Sequence, residues 1–302
     1  MRNSCRAPVA RVMPTTGFPG SDKIAAIQMV STPDLQENLD SASRLIKLAA
    51  EQGAQLVLLP EVFAVLEGGP MAEFAELEGH GPIQEFLASQ AKENQLILIG
   101  GTIPLLSRPG KPGGESGGVL DDGRVRPACL VYNQQGKQIA RYDKIHLFDV
   151  MVDDKQSEYS ESLSYEAGDE VVSVETDIVH LGLSICYDMR FPELYRRLFN
   201  KGAELITVPA AFTRVTGEAH WESILRARAI ENQCYILAAG QGGKHSENRE
   251  TWGHSMIIDP WGSVLAMLPD GEGVAIAEID LDFLRDVRRR MPIADHIQLK
   301  SE

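Results

Sequence analysis

The chain of 302 residues is 43% hydrophobic and 24% charged, a balance typical of a globular protein with a sizeable core. Its formal net charge of −14 argues against a nucleic-acid partner, because proteins that bind polyanions present basic surfaces. No apolar run approaches the roughly 18 to 20 residues of a membrane-spanning helix, so the sequence predicts no membrane partner either.

The N-terminal segment differs in composition from the rest of the chain. The first twenty residues contain arginines but no acidic residue, and they lack the apolar core of a secretory signal. We interpret residues 1–22 as a flexible extension; a mitochondrial transit peptide is the alternative on composition. Globular patterning begins at Lys23, so we expect a single domain over residues 23–292, followed by a C-terminal tail at 293–302.

Strand and helix patterns alternate over the first hundred residues of the globular part. In chain order they predict a strand, a helix, a strand, a helix and a strand, at residues 23–30, 35–52, 55–59, 81–94 and 96–102. The second of these strands runs into Pro60 and stops at the carboxylate of Glu61. The long segment 62–79 contains glycines, and we predict that it is a loop over a pocket.

A second group of strands follows a surface insertion rich in Gly, Pro and Ser at residues 107–126. Strand patterns at residues 128–133 and 137–142 flank a Gln-Gln-Gly turn, which indicates a hairpin. The second of these strands leads to Lys144, which stands between apolar neighbours. The polar and acidic segment 147–169 is predicted to be a loop.

Cys186 stands at the end of an apolar, β-branched run over residues 178–185. Pro192 and Glu193 then mark a helix N-terminus. A cysteine at such a transition faces unpaired backbone N–H groups and the positive end of a helix dipole, and both favour the reactive thiolate.

The four cysteines contain no CxxC pair, which argues against a zinc ribbon or a redox motif. Cys129 and Cys234 lie in apolar strands and are expected in the core. A free reactive thiol at Cys186 implies a reducing compartment, so we expect a cytoplasmic location.

The C-terminal third completes the alternation of strands and helices. It predicts a strand at residues 204–209, a loop at 212–217, a helix at 220–232 and a strand at 234–239. A final antiparallel set of strands is predicted at residues 253–258, 264–267 and 274–279, followed by a helix at 281–290. Alternating strands and helices with added hairpins indicate an α/β protein with a mixed sheet.

Glu61, Lys144 and Cys186 all stand where hydrophobic strands end. Isolated buried charges are costly, but these groups would be tolerated if they met in one pocket, and the carboxyl ends of strands are where α/β proteins form pockets. The motifs Tyr-Asp-Lys-Ile-His-Leu-Phe-Asp at 142–149 and Cys-Tyr-Asp-Met-Arg-Phe-Pro-Glu at 186–193 are specific. Together with Pro-Glu at 60–61 they resemble the nitrilase superfamily, the carbon–nitrogen hydrolases.

The resemblance implies a fold and an assembly. The fold is an α-β-β-α sandwich, in which two mixed sheets lie between helix layers. The assembly is a homo-oligomer, either a dimer that stacks two sandwiches into eight layers or a tetramer. The family needs no cofactor, and its partner is a small-molecule amide substrate.

The resemblance also implies the role of each site residue. Cys186 would be the nucleophile, and Glu61 would accept the thiol proton and pass it to the leaving group. Lys144 would stabilise the oxyanion, together with the backbone N–H of Tyr187. Glu161 matches the position of a further glutamate that orients the lysine or the water.

The motifs at Arg190, 226–235 and 253–261 resemble the Nit branch, which cleaves the terminal amide of 2-oxo acid type substrates. The resemblance is closer to the deaminated glutathione type of this branch and implies deaminated glutathione as the substrate, with 2-oxoglutaramate, the substrate of omega-amidases, as the alternative. Arg190 is expected to pair with a substrate carboxylate, and Phe212 and Thr216 are expected to line the acyl pocket.

Other functions remain open on the sequence. An N-carbamoyl amidohydrolase would use the same three residues, and a non-catalytic interaction protein could retain the fold. A Cys–His pair could involve His146 or His254, but the context of the cysteine does not match such enzymes, and structural roles are expected for both. The sequence contains no HExxH or other metal-binding pattern.

Overall fold

The computed structural model describes residues 22–110 and 117–299. Three predicted segments lie wholly or partly outside these ranges: the extension at 1–22 except for its last residue, the middle of the insertion at 107–126, and the end of the tail at 293–302. Within the described ranges, no helix is long and apolar enough to cross a bilayer.

The strands and helices of the described chain largely follow the predicted order. The strands are β1 (Asp22–Gln28), β2 (Leu56–Leu58), β3 (Ile97–Ile99), β4 (Ile103–Leu105), β5 (Arg126–Tyr132), β6 (Gln138–Asp143), β7 (Asp149–Met151), β8 (Glu158–Ser160), β9 (Ser173–Glu175), β10 (His180–Leu183), β11 (Leu205–Ala210), β12 (Tyr235–Gly240), β13 (Gly242–Lys244), β14 (Glu250–Trp252), β15 (Met256–Ile258), β16 (Val264–Met267) and β17 (Gly273–Ile279). The helices are α1 (Leu35–Glu51), α2 (Pro82–Glu93), α3 (Pro192–Asn200), α4 (Arg214–Asn232), α5 (Leu281–Arg290) and α6 (Ile293–His296). Short 3₁₀ turns lie at Met71–Phe74, Glu161–Leu163 and Cys186–Arg190.

The first sheet has the strand order β17-β1-β2-β3-β5-β4, and β6 pairs with β5. Strands β1, β2 and β3 are parallel, whereas β17, β4, β5 and β6 pair antiparallel with their neighbours. Because parallel strands end at the same edge, the segment after β2, which carries Glu61, leaves the sheet at its carboxyl edge.

The second sheet has the order β16-β15-β12-β11-β10-β9. Its central strands β10, β11 and β12 are parallel, and the outer strands pair antiparallel. Cys186, Ala211 and Gln241 follow closely on these three central strands, so all three residues leave the sheet at one edge.

The two sheets pack face to face between layers of helices. Along β1, Ile24 and Ala26 join the core shared with the second sheet, whereas Ala25 and Ile27 join the core formed with α1 and α2. This alternation is the two-residue period of a strand buried on both faces. Helices α3 and α4 cover the other side of the second sheet. The predicted α/β class and α-β-β-α sandwich are therefore confirmed.

Four local predictions need correction. The strand predicted over residues 96–102 stops at Ile99, because Gly101 adopts a φ of +54° and turns the chain. The predicted loop at 147–169 contains the hairpin β7–β8. Helix α4 begins at Arg214, inside the segment predicted as a loop, and the hairpin β13–β14 was missed. The final antiparallel set divides between sheets, because β17 pairs with β1 of the first sheet.

Gly101 couples the first sheet to the segment that carries Glu61. A Cβ atom at this position would overlap the carbonyl oxygen of Pro60 and lie 3.0 Å from that of Leu59. We expect Gly101→Ala to lower the free energy of unfolding by more than about 3 kcal/mol, because backbone atoms must shift. Urea unfolding measures this change.

Gly123 provides the control for that substitution. It also has a left-handed φ, of +83°, but a Cβ atom added there would meet no atom within 4 Å. Gly123→Ala should therefore cost only the backbone strain, about 1 to 2 kcal/mol. Equal losses in the two variants would contradict the steric explanation.

Candidate active site

The ammonium group of Lys144 lies where three chain segments meet. Its Nζ donates hydrogen bonds to Glu61 Oε1 at 2.8 Å and to the two oxygens of Glu161 at 2.9 and 2.8 Å. The lysine side chain is only 1% exposed. Burial lowers the pKa of Lys144, but the charges of Glu161 and Glu61 raise it by more, so the pKa lies well above its ordinary value. The lysine is therefore a buried, permanent cation.

Glu61 belongs to the first sheet but is anchored on the second. Its Oε2 accepts a hydrogen bond from the backbone N–H of Ala211 at 2.8 Å, and its carbonyl oxygen accepts one from Gln241 Nε2 at 3.0 Å. The next residue, Val62, donates its N–H to Thr102 Oγ1 at 2.8 Å. These bonds hold Glu61 between segments that follow strands of both sheets.

Glu161 reaches the lysine from the 3₁₀ turn after β8. Its Oε2 also accepts the backbone N–H of Phe148 at 2.8 Å. The sequence offered other acids on the same segment, but Glu166 instead forms ion pairs with Arg108 and Arg126. Geometry thus distinguishes Glu161 from its acidic neighbours as a partner of Lys144.

Cys186 starts a 3₁₀ turn shortly after β10, with a φ of +46°. This left-handed conformation costs an ordinary residue about 1 to 2 kcal/mol, and such strain is concentrated at active sites. The residue is buried, and it lines the same cavity as Glu61 and Glu161. The three side chains that the sequence singled out therefore meet in one place.

The position of Cys186 near a helix start favours a thiolate, but the surroundings of the sulfur favour the neutral thiol. Burial raises the pKa of the thiol, the charge of Glu61 raises it further, and the opposing effect of Lys144 does not compensate. Two structural facts explain the difference. The α-helix begins only at Pro192, so its dipole does not act at the sulfur, and the charge of Lys144 is already shared by two carboxylates.

Asp188 connects the segments of the cysteine and the lysine, a role that the sequence analysis missed. Its fully buried carboxylate accepts the N–H of Ile185 at 2.9 Å and the hydroxyl of Tyr142 at 2.7 Å. It also accepts the N–H of His146 at 3.0 Å and lies 2.7 Å from His146 Nδ1. A carboxylate inside an otherwise apolar stretch was the signal that could have identified it.

The predicted structural roles of the two histidines agree with their contacts. His146 stacks on Phe191 at 3.7 Å between ring centroids, in addition to its bonds with Asp188. His254 stacks on Trp252 at 4.0 Å, and its Nδ1 lies 2.7 Å from the carbonyl oxygen of Trp252. Among residues 22–110 and 117–299, no group of three or more His, Cys, Asp or Glu side chains could hold a metal ion.

A cavity of about 380 Å³ opens above these groups. This volume lies within the range of roughly 300 to 1,000 Å³ typical of small-molecule sites. The cavity wall includes six of the residues singled out from the sequence: Glu61, Glu161, Cys186, Tyr187, Phe212 and Thr216.

Arg190 is not among the residues that line this cavity, and its contact with a substrate carboxylate stays a prediction. Its guanidinium lies 5.9 Å from the ring centroid of Tyr187 and 5.1 Å from that of Phe212. Two of its nitrogens lie 3.4 Å from His220 Nδ1. The Arg190 guanidinium therefore lies next to two aromatic rings that line the cavity. The arginine that does line the cavity is Arg249, which the sequence analysis did not single out.

Comparison with known proteins gives one consistent family. The family model for carbon–nitrogen hydrolases matches residues 23–289. A protein of Synechocystis sp. strain PCC 6803 named deaminated glutathione amidase is 45% identical over 278 residues, which cover 90% of this chain and 96% of that protein.

Two solved structures support the same relationship. The Caenorhabditis elegans NitFhit protein is 36% identical with a TM-score of 0.78, and the match covers 92% of this chain but 65% of the NitFhit chain. Saccharomyces cerevisiae Nit3, a member of branch 10 of the nitrilase superfamily, is 30% identical with a TM-score of 0.76. That match covers 90% of this chain and 94% of Nit3.

The environment of Cys186 predicts how the pKa of its thiol responds to substitution of Glu61. Glu61→Gln removes the negative charge that raises the thiol pKa, while Lys144 stays in place. The pKa of Cys186 should therefore fall relative to the wild type. Thiolate absorbance in the far ultraviolet, titrated against pH, measures this shift.

The same titration in proteins that also carry Cys186→Ser isolates the signal of this cysteine. Cys129 and Cys234 contribute equally to both members of each pair, because burial raises the pKa of each to about 12. An unchanged or higher thiol pKa in Glu61→Gln would contradict the electrostatic account.

Proposed function

The chain belongs to the carbon–nitrogen hydrolase family, and we propose that it is a thiol amidase that hydrolyses the terminal amide of a 2-oxo acid type substrate, with deaminated glutathione preferred. The observation that carries the proposal is the contact of Lys144 with Glu61 and Glu161, in a site whose cavity wall also includes Cys186. The name of the Synechocystis relative supports the choice of substrate.

In the first half of the reaction, the sulfur of Cys186 attacks the carbonyl carbon of the amide, and Glu61 accepts the thiol proton. Lys144 and the backbone N–H of Tyr187 stabilise the negative oxygen of the tetrahedral intermediate. The C–N bond then breaks, and Glu61 returns the proton to the leaving nitrogen. The product of this half is a thioester between the acyl group and Cys186.

In the second half, a water molecule attacks the thioester and Glu61 accepts its proton. The C–S bond breaks, and the sulfur regains a proton from Glu61 as the free acid is released. Glu161 takes no proton in this scheme; it holds the ammonium group of Lys144 toward the reacting oxygen.

A neutral thiol at rest suits this scheme. Transfer of its proton to Glu61 leaves the total charge of Cys186, Glu61, Lys144 and Glu161 unchanged. The buried site therefore gains no net charge when the nucleophile forms, and the cost of desolvating a new charge is avoided.

Three further assignments belong to the proposal. We place the catalytic domain at residues 23–292, between the N-terminal extension and the C-terminal tail. We expect a homodimer or a homotetramer. The free nucleophilic thiol favours a reducing compartment, and we propose the cytoplasm.

Parallel kinetics on related amides test the proposal. Deaminated glutathione should be hydrolysed with a higher kcat/KM than 2-oxoglutaramate, both giving 2-oxoglutarate. Activity should vanish in Cys186→Ala, and removal of the Lys144 ammonium by Lys144→Met should lower kcat by about 100- to 1,000-fold. Coupled assay of 2-oxoglutarate follows both reactions.

Cys234→Ala is the matched control, because this cysteine is buried in the core and does not line the cavity. It should retain the wild-type activity. Faster turnover of 2-oxoglutaramate would reverse the substrate order in favour of an omega-amidase. Release of ammonia and carbon dioxide from carbamoyl amines, without hydrolysis of either 2-oxo amide, would replace the proposal with an N-carbamoyl amidohydrolase.

A further inference from the structure

Arg249 is held rigidly at the mouth of the cavity. It lies in the turn between β13 and β14, where its carbonyl oxygen accepts the N–H of His245 at 3.0 Å. Its own N–H donates to Ser246 Oγ at 3.1 Å. These bonds fix the backbone from which the Arg249 side chain extends to the cavity wall.

The guanidinium has no anionic partner in the part of the chain that the structure describes. It stacks 4.8 Å from the ring centroid of Tyr159, and Nη1 and Nη2 make long hydrogen bonds of 3.4 Å to Gln156 Oε1 and the carbonyl oxygen of Ala211. Its Nε is buried without a partner. An arginine carries five N–H donors, so much of this one's hydrogen-bonding capacity is unused.

The other charged residues that line the cavity in the described part of the chain are acidic. Among the described residues that line the cavity, Arg249 is the only lysine or arginine, whereas Glu61, Glu67 and Glu161 are acidic. The nearby charge of Lys144 is already paired with two carboxylates. A substrate carboxylate would therefore be repelled by these glutamates and attracted at Arg249.

We propose that Arg249 is the receptor for a substrate carboxylate that lies away from the scissile amide. This proposal rests on the amidase function proposed above. A guanidinium can bind a carboxylate through two parallel hydrogen bonds, which fixes orientation as well as position. The ring of Tyr159 stacks against the guanidinium, and the Tyr159 hydroxyl is fixed by a hydrogen bond to Asp154 at 2.8 Å.

The distance to the reacting groups fits a small substrate. Ala211 donates its N–H to Glu61 at 2.8 Å and accepts from Arg249 at 3.4 Å, so a single residue separates the two side chains. The guanidinium is thus within about 10 Å of the Glu61 carboxylate. Deaminated glutathione has one carboxylate in its 2-oxo acid part and one at its glycine end, and 2-oxoglutaramate has only the first.

Kinetics of Arg249→Gln and Arg249→Lys test the assignment and identify the carboxylate. The substrates are deaminated glutathione, its glycinamide analogue, which lacks the terminal carboxylate, and 2-oxoglutaramate. Arg249→Gln should raise KM by about 10- to 100-fold for substrates that carry the recognised carboxylate, with kcat reduced by less than about threefold. Arg249→Lys, which keeps the charge but not the two-pronged geometry, should give an intermediate KM.

The pattern across the substrates decides the outcome. A rise in KM only for deaminated glutathione assigns the glycine carboxylate, whereas a similar rise for all three assigns the carboxylate of the 2-oxo acid. An unchanged KM for all three overturns the proposal. A fall in kcat without a change in KM also overturns it, because Arg249 would then act only through Ala211 on Glu61.

Arg214→Gln is the matched control. Arg214 lies close to the same hairpin, where it pairs with Glu250 at 3.2 Å and Asp270 at 3.3 Å, but it does not line the catalytic cavity. Its substitution should leave KM unchanged for all three substrates. An equal rise in KM in both variants would indicate a general loss of charge at the surface and would contradict a specific receptor.

A binding experiment separates this proposal from the proposed function. Calorimetric titration of Cys186→Ala compares deaminated glutathione, which carries both carboxylates, with glutaramide, which carries none, and the same titration is done with Arg249→Gln added. Binding of deaminated glutathione that depends on Arg249 supports the receptor even if the wild type hydrolyses none of the three amides. Binding that is equal with and without Arg249 overturns it, whichever amide the enzyme cleaves.

Discussion

The site depends on one buried ammonium group between two carboxylates. Lys144, with Glu61 and Glu161 within 2.9 Å, joins the end of the first sheet to the segment after β8. Loss of either carboxylate would leave a cation poorly compensated away from water, which is strongly unfavourable. Burial of the sulfur and the charge of Glu61 raise the pKa of Cys186 and favour its neutral thiol.

The sandwich keeps these groups in register because each is tied to more than one element. Glu61 extends from the first sheet and is hydrogen-bonded to the residue after β11 of the second. Asp188 joins the turn of the cysteine to the strand that leads to the lysine. Such contacts between layers offset the cost of the left-handed conformation of Cys186, since rigid surroundings can maintain local strain. Catalytic geometry is thus a consequence of how the two sheets face each other.

The proposed reacting groups and the proposed carboxylate receptor lie on different parts of the structure. The reacting groups stand at the ends of sheet strands, whereas Arg249 and Tyr159 come from two small hairpins, β13–β14 and β7–β8, which meet across the cavity mouth. Changes in the β13–β14 hairpin could therefore alter the preferred amide without disturbing the lysine and its carboxylates. This separation is a common arrangement in enzymes, because loops and hairpins tolerate variation on a rigid scaffold.

The sequence alone determined the local features of this protein: the alternating strands, most helix limits, and the polar groups of Glu61, Lys144 and Cys186 at strand ends. These follow from periodicity and from residue types, which act over short distances along the chain. The tertiary structure decided how the last strands divide between sheets, which acid accompanies the lysine, and that Arg249 and not Arg190 faces the cavity. It also decided the protonation of the thiol. Each of these depends on burial and on contacts between distant segments, such as the bond between Glu61 and Ala211, which are 150 residues apart. No local pattern encodes such a contact.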